Sequence, residues 1–164
     1  MNASSESVSN SAFRIPHSAL FYFAPPLLSM AAMFFFSTDS FSATNTGSRL
    51  AWLLSFLPFQ LSASSIEWIH FLIRKGAHFT EYGVLALLWL RAFRGNHAAR
   101  WQLRWGLWAF AVIAAWALLD EWHQSFTASR TGSIYDSLLD MSGGLTALFG
   151  SWLFGRRKAT REFL

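Results

Sequence analysis

The sequence contains no cysteine and little charge. Of its 164 residues, 13 are Lys or Arg and 9 are Asp or Glu, so 13% of the chain is charged, against roughly 25% in ordinary soluble domains. The absence of cysteine excludes disulfides, thiol catalysis and cysteine-ligated zinc. Apolar residues make up 53% of the chain, and a soluble domain of this size has too small an interior to bury them. The composition therefore predicts a membrane protein and excludes an intrinsically disordered one.

Four apolar stretches have the length of a membrane-spanning helix, which takes about 20 mostly apolar residues. They cover residues 19–36, 76–93, 103–119 and 138–154. The proline pair Pro25-Pro26 is expected to kink the first stretch, which lipid tolerates when neighbouring groups satisfy the freed carbonyls. The sequence thus predicts an all-α fold, an integral membrane bundle of four transmembrane helices over residues 18–156.

The rest of the chain divides into two tails and one apolar segment. Residues 1–17 form a polar tail rich in Ser and Asn, and residues 157–164 form a basic tail. The segment Leu50–Leu61 is apolar but too short to cross a bilayer and contains Pro58, so we expect an interfacial or re-entrant segment on the outer side. A competing interpretation is that the first span is a cleaved signal peptide, but its apolar stretch is longer than the ~7–15 residues typical of one.

A helix start is visible before the second span. Ser64 and Glu67 have the spacing of a capping box, and an apolar run follows them. We therefore expect this helix to start near Ser65 on the membrane surface and to bend at Gly76 into the bilayer.

The basic residues fall mainly on one side of the four predicted spans. This side holds nine of them: Arg14, Arg91, Arg94, Arg100, Arg104, Arg156, Arg157, Lys158 and Arg161. The other side holds the remaining four (Arg49, Arg74, Lys75 and Arg130) and all the acidic residues except Glu6 and Glu162. The positive-inside rule then predicts a multi-pass protein of the cell membrane with both termini in the cytoplasm. Topology explains the net charge of +4, so the expected partners of the basic residues are membrane lipids and not nucleic acid.

Ionisable residues lie at similar depths on three of the spans. At about 1.5 Å per residue, Glu81 lies about 15–20 Å from the inner arginines, and Asp120 and Asp140 about 24 Å. A charge in lipid costs about 2.5–3.5 kcal/mol on insertion scales, so we predict a site that opens outward and binds a ligand. Its candidate residues are Lys75, His78, Glu81, Tyr82, Asp120, Glu121, Gln124, Arg130, Asp136 and Asp140. The alternative is a purely structural network, in which Lys75 and Arg130 neutralise the carboxylates.

Small residues recur at every fourth position of the last span. They are Gly143, Ala147, Ser151 and Gly155. Such a ridge lets two helix backbones approach closely in lipid, so it predicts a tight contact between this helix and a neighbour.

Two separated polar blocks carry a recognisable pattern. The first is RKGAHFTEYG at residues 74–83, and the second is DEWHQSF at residues 120–126, followed by Arg130, Asp136, Asp140 and Gly144. Over about residues 70–155 the chain resembles the VanZ-like membrane proteins, named after an accessory factor in resistance to the glycopeptide teicoplanin. The chain has Ala128-Ser129 where that family usually has Pro-Gly, and Asp140 where Asn is commoner. Teicoplanin acts outside the cytoplasmic membrane on lipid-linked peptidoglycan precursor, and the predicted polar layer is on that side.

The resemblance and the polar layer together suggest a function at the cell envelope. We expect a VanZ-like protein that binds an amphiphilic ligand, such as a lipid-linked cell-wall precursor, in the outer half of the bilayer and affects teicoplanin susceptibility. No cofactor and no metal are expected for that role. The alternative is a membrane-embedded hydrolase or transferase, metal-dependent or not, since the pairs His78/Glu81 and Asp120/His123 have an i, i+3 spacing that can hold a metal. A proton- or ion-coupled carrier would need an oligomer of so small a bundle, and a scaffold without a ligand is the remaining possibility.

Reporter fusions test the predicted orientation. Fusions at residue 98 and after residue 160 should report a cytoplasmic location, and a fusion at residue 130 an external one, because nine basic residues outnumber four. Alkaline phosphatase and a fluorescent protein, which are active on opposite sides of the membrane, give the readout. A cytoplasmic result at residue 130 would contradict the orientation.

Overall fold

The computed structural model describes residues 17–37, 43–56, 58, 61–95, 101–126 and 133–161. Over these residues the chain is all-α, with five helices and no strand. They are α1 (His17–Phe36), α2 (Ala43–Leu54), α3 (Ala63–Arg94), α4 (Leu103–Gln124) and α5 (Ile134–Arg161). Each of the four predicted spans lies wholly within one of these helices, and α2 is an additional helix.

Helix α3 begins earlier than the sequence predicted. Its N-cap is Ser62, whose hydroxyl accepts the backbone N–H of Ser65 at 3.2 Å, so the capping residue is not Ser64. The helix continues without a break through Gly76, where we expected a bend. With 32 residues, α3 is about 48 Å long.

Two further boundaries differ from the prediction. The expected interfacial segment, residues 50–61, is divided, because its first five residues form the end of α2 and a turn follows. The expected basic tail, residues 157–164, begins as the last turns of α5, which extends to Arg161. Most of the predicted N-terminal tail and the candidate site residue Arg130 lie outside the described residues.

Helices α3 and α5 run parallel and form the most extensive interface of the bundle. A Cβ atom added at Gly143 would overlap the backbone carbonyl of Phe79, and one turn further along, a Cβ at Gly83 would lie 3.6 Å from the Cβ of Ala147. Only a residue without a side chain fits at Gly143, so the two backbones touch there. The predicted small-residue ridge of α5 is thus an interface, and α3 is its partner.

Helix α4 runs antiparallel to α5. Near one end of the pair, the Ser137 hydroxyl donates to the backbone carbonyl of Ala117 at 3.3 Å. Near the other end, the Trp101 indole N–H donates to the Ser151 hydroxyl at 3.1 Å. The two contacts tie α4 to α5 at both ends of the bundle.

Helix α1 crosses the full height of the bundle, antiparallel to α3. The ring of Phe23 lies 6.0 Å from that of Trp89 near the C-terminus of α3. At the opposite end, the side-chain amide of Gln124 donates to the Ser37 hydroxyl at 3.0 Å, just after α1 ends. Pro26, the second residue of the proline pair, is buried within a helix that continues on both sides of it.

The helix directions give the bundle two chemically different ends. The end termed basic is where α1 and α4 begin and α3 ends, and it carries Arg91, Arg94 and Arg104. The end termed acidic is where α1 and α4 end and α5 begins, and it carries Asp120, Glu121, Asp136 and Asp140. The polar groups predicted at one depth on three helices therefore lie at one end of the bundle.

Helix α3 extends past the acidic end. Lys75 pairs with Asp136 in the first turn of α5, so residues 63–73 of α3 project about 16 Å beyond the start of α5. This projection is termed the overhang. Helix α2 packs against it, with Thr46 Oγ1 2.9 Å from His70 Nε2. Together α2 and the overhang form a layer next to the acidic end, which the sequence did not predict.

The prediction of four membrane-spanning helices is not confirmed. Of the described helices, one is both long and apolar enough to cross a membrane by itself, Leu103–Gln124. The apolar part of α1, Leu20–Phe36, is shorter. Helices α3 and α5 have the length but carry ionisable residues at the acidic end, and these lower their mean hydropathy.

Replacing Gly143 by Ala should destabilise the bundle. The added methyl group meets the backbone of Phe79 and forces α3 and α5 apart, which costs about 1–3 kcal/mol or more. Gly150, on the same helix with no neighbouring atom within 4 Å, is the control, and Gly150→Ala should leave stability unchanged or raise it by up to about 1 kcal/mol. Thermal unfolding of both variants in the same detergent gives the comparison. Equal midpoints would contradict the close contact.

Candidate functional site

Helices α3 and α5 bring two pairs of a basic and an acidic side chain together at the acidic end. The Lys75 ammonium donates to Asp136 Oδ1. One turn further into the bundle, His78 Nδ1 lies 3.5 Å from Asp140 Oδ1. Because the two helices are parallel, partners at i, i+3 on α3 meet partners at i, i+4 on α5. Four of the predicted site residues are thus neighbours.

Asp140 is the most deeply buried acidic residue of the site. Its side chain is 1% exposed, and the contact to His78 is too long for a good hydrogen bond. Neither carboxylate oxygen of Asp140, nor the hydroxyl of the fully buried Tyr82, has a hydrogen-bond partner among the described residues. A buried polar atom without a partner costs about 1–3 kcal/mol, so these atoms are places where a water molecule or a ligand would be stabilised.

A second buried polar group joins α4 to the end of α1. The Gln124 amide donates to Asp120 Oδ2 at 2.7 Å and to the Ser37 hydroxyl at 3.0 Å, and all three side chains are buried. The other carboxylate oxygen of Asp120, Oδ1, has no partner in the part of the chain that the structure describes. Gln124 therefore orients the Asp120 carboxylate and leaves one of its oxygens to accept a further hydrogen bond.

Among the described residues, Glu121 is held by a backbone N–H and not by a basic side chain. Its Oε2 accepts the backbone N–H of Ser133 at 2.5 Å, just before α5 begins. A carboxylate is favourable at a helix N-terminus, where unpaired N–H groups carry partial positive charge. We expected basic partners for Glu121, and the contact seen in the described residues is this one.

Glu81 points away from the pairs between α3 and α5. It is exposed, and no basic side chain of the described residues lies within 4.0 Å of its carboxylate. We expected His78, one turn away, to be the nearest partner of Glu81, but His78 contacts Asp140 instead. Glu81 lines a cavity on another side of α3.

Two cavities meet at this end of the bundle. The larger, of about 440 Å³, lies between α2, α3 and the ends of α1 and α4. Its ionisable lining residues are Arg49, His70, Arg74, His78, Glu81 and Asp120, and its large apolar ones are Met33, Phe36, Leu50, Leu53 and Ile73. The smaller, of about 180 Å³, lies between α3, α4 and α5, and Lys75, Gln124, Asp136 and Asp140 line it. His78 and Arg74 line both cavities.

Sequence reasoning missed Arg49, His70 and Arg74 as site residues. His70, Arg74, His78 and Glu81 follow one another at spacings of four, four and three, so they share one face of α3, and this periodicity could have revealed His70 and Arg74. Burial and the nearby Arg74 lower the pKa of His70, so its ring is neutral at pH 7 and can accept the Thr46 hydroxyl. Arg49 had no signal in the sequence, because its place in the site depends on how α2 packs.

The spacing that suggested a metal site does not bring three ligands together. Over the described residues, no group of three or more His, Asp and Glu side chains could hold a metal ion. In the pair Asp120/His123, Asp120 bonds to Gln124. The His123 ring stands against Phe34, with 4.4 Å between the ring centroids.

One family of known proteins matches this chain. The model of the VanZ/LLP1 family matches residues 21–155, which include nearly all of α1, the whole of α2, α3 and α4, and α5 as far as Gly155. Every predicted site residue lies inside the match. No curated protein and no solved structure matches the chain.

Changing His78 and Asp140 together should have less effect than the sum of the two single changes. His78→Gln leaves a buried carboxylate without its neighbour, and Asp140→Asn removes the charge that the neighbour meets. Residues in contact show coupling energies of about 0.5–3 kcal/mol. Thermal unfolding of the two single variants and the double variant in detergent measures this coupling. Glu67→Gln, an exposed change on the overhang, is the control and should be additive with Asp140→Asn. Additivity of the His78 and Asp140 changes would mean that the two side chains do not interact.

Proposed function

Because the chain belongs to the VanZ/LLP1 family, we propose that it is a multi-pass membrane protein of the cell envelope that binds an amphiphilic or lipid-linked ligand at its acidic end. The larger cavity is the observation that carries this proposal. Both apolar and ionisable side chains line its wall. A wall of both kinds is complementary to a molecule with an apolar chain and a polar headgroup.

The outer surface of the bundle supports its place in a membrane. Large apolar side chains are exposed along the helices, among them Leu28, Leu107 and Phe149, each more than half exposed. Soluble monomers rarely expose extended apolar surface of this kind, because water disfavours it. The helices α1, α3, α4 and α5 have 20 to 32 residues, and 20 residues of helix span about 30 Å, the thickness of the hydrocarbon core.

The charge distribution supports an orientation with the acidic end outside. Arg91, Arg94 and Arg104 lie at the opposite end, and Arg156, Arg157, Lys158 and Arg161 belong to the last turns of α5 at that same end. The positive-inside rule assigns such an end to the cytoplasm. In this orientation α2 and the overhang lie at the outer interface, and the larger cavity opens where lipid-linked cell-wall precursor is exposed.

A protein with this geometry would act by binding and not by chemistry. The apolar lining residues hold the start of a lipid chain, and the ionisable lining residues replace the water that the headgroup loses. Sequestering or presenting a lipid-linked precursor would change how much of it teicoplanin can reach. An effect on teicoplanin susceptibility is therefore part of the proposal.

Filling the larger cavity tests the proposal. Ala77 lines it, and Ala77→Trp should exclude most of the bound amphiphile while leaving the bundle folded. The full chain is purified in a mild detergent, and the bound lipids are extracted and quantified by mass spectrometry. Leu72→Trp is the matched control, since Leu72 is on the same helix, is 62% exposed and does not line the cavity.

The control variant should retain the lipids of the unchanged protein. Teicoplanin susceptibility of cells that contain equal membrane levels of each variant is the second readout, and only Ala77→Trp should alter it. Equal bound lipid in all three proteins would contradict the cavity as the binding site.

A further inference from the structure

The larger cavity is lined by charged residues of both signs. The two arginines are Arg49 on α2 and Arg74 on α3, directly after the overhang. The two acidic residues are Glu81 on α3 and Asp120 near the end of α4. Glu81 follows Arg74 by seven residues on the same helix, about 10 Å along its axis. A ligand that fills the cavity therefore meets groups of both charge signs.

Asp120 has an oxygen that needs a hydrogen-bond donor. The residue is 6% exposed, its Oδ2 accepts the Gln124 amide, and its Oδ1 has no partner among the described residues. A carboxylate oxygen only accepts, so its partner must carry an N–H or an O–H group. A charged N–H donor makes the stronger bond with a carboxylate.

We propose that the larger cavity binds a phospholipid whose headgroup joins a phosphate to a primary ammonium group, as in phosphatidylethanolamine. This inference rests on the proposed function and names the ligand class for the same site. The phosphate meets Arg49 and Arg74, because guanidinium groups are suited to phosphate oxygens. The ammonium group donates to Asp120 Oδ1 and neutralises Glu81.

The apolar wall and the volume of the cavity favour a lipid over a soluble compound. Phe36, Leu53 and Ile73 line the cavity beside the charged groups. A volume of about 440 Å³ holds a headgroup and the first part of the acyl chains. The rest of each chain lies along the exposed apolar side chains of the bundle.

Two common phospholipids satisfy only part of this site. Phosphatidylglycerol has the phosphate but no cation, so Glu81 and Asp120 would face an uncharged headgroup tip. Phosphatidylcholine has the same net charge as phosphatidylethanolamine, but its quaternary ammonium has no N–H to donate to Asp120. A preference over both lipids is therefore diagnostic of the primary ammonium group.

Native mass spectrometry of the delipidated full chain in detergent, titrated with the three phospholipids carrying identical acyl chains, measures this preference. The unchanged protein should bind phosphatidylethanolamine about tenfold more tightly than either other lipid. Asp120→Asn should remove most of this preference, because an amide is neutral and no longer attracts the ammonium group. Glu81→Gln, a change at an exposed residue, should also reduce the preference for phosphatidylethanolamine. It replaces Asp120→Asn as the test variant if Asp120→Asn does not fold.

The arginines and two controls complete the series. Arg49→Gln should weaken the binding of all three phospholipids by about two- to fivefold, since all three carry the phosphate. Arg94→Gln at the basic end and Glu67→Gln on the overhang lie outside the cavity and should change nothing. Free phosphoethanolamine should compete poorly, because it leaves the apolar wall unfilled, and equally good competition would overturn the assignment to a lipid.

The outcomes separate this inference from the proposed function. The unchanged protein could bind the three phospholipids equally, and Arg49→Gln could bind all of them more weakly. This result would overturn recognition of the primary ammonium group and leave the proposal of amphiphile binding intact. A preference for phosphatidylethanolamine that both Asp120→Asn and Glu81→Gln retain would overturn the acidic residues as its cause. Binding of no phospholipid, together with no lipid lost on Ala77→Trp, would contradict the proposed function itself.

Discussion

The contact between Gly143 and the backbone of Phe79 determines how the rest of the bundle is arranged. It sets the register of α5 against α3, because no side chain fits between the two backbones. A shift of one residue would turn a helix by about 100°, and the pair between His78 and Asp140 would separate. The polar end of the protein thus depends on an apolar contact of the smallest residue type.

The acidic residues of the site differ in how their charge is balanced. Asp136 forms an ion pair with the Lys75 ammonium. Glu121 accepts a hydrogen bond from a backbone N–H just before α5, and Asp120 accepts one from the side-chain amide of Gln124. A buried carboxylate is costly unless it is paired or hydrogen-bonded. Neutral donors hold two of these carboxylates without cancelling their charge, which leaves them able to attract a cation.

Much of the helical framework could be predicted from the sequence, because length and apolarity report directly on helices of this kind. That the ionisable residues of three helices gather at one end of the bundle could also be predicted, because rise per residue converts sequence distance into height. The contact partners of the polar residues could not be predicted in this way. His78 is nearest in sequence to Glu81, but it contacts Asp140 on another helix. Helix α2 and its Arg49 were missed because their place depends on packing against the overhang, and the role of Arg130 stays a prediction.

The length of α3 has a mechanical consequence. Near its middle the helix is clamped at Phe79 against α5, and its free end at Ala63 lies about 24 Å from that clamp. If α3 tilts by about 5° at this contact, its N-terminal end moves by about 2 Å, because about 24 Å of helix lies beyond the contact. The width of the space between α2 and the bundle therefore depends on the contact between Phe79 and Gly143, although neither residue lines the larger cavity.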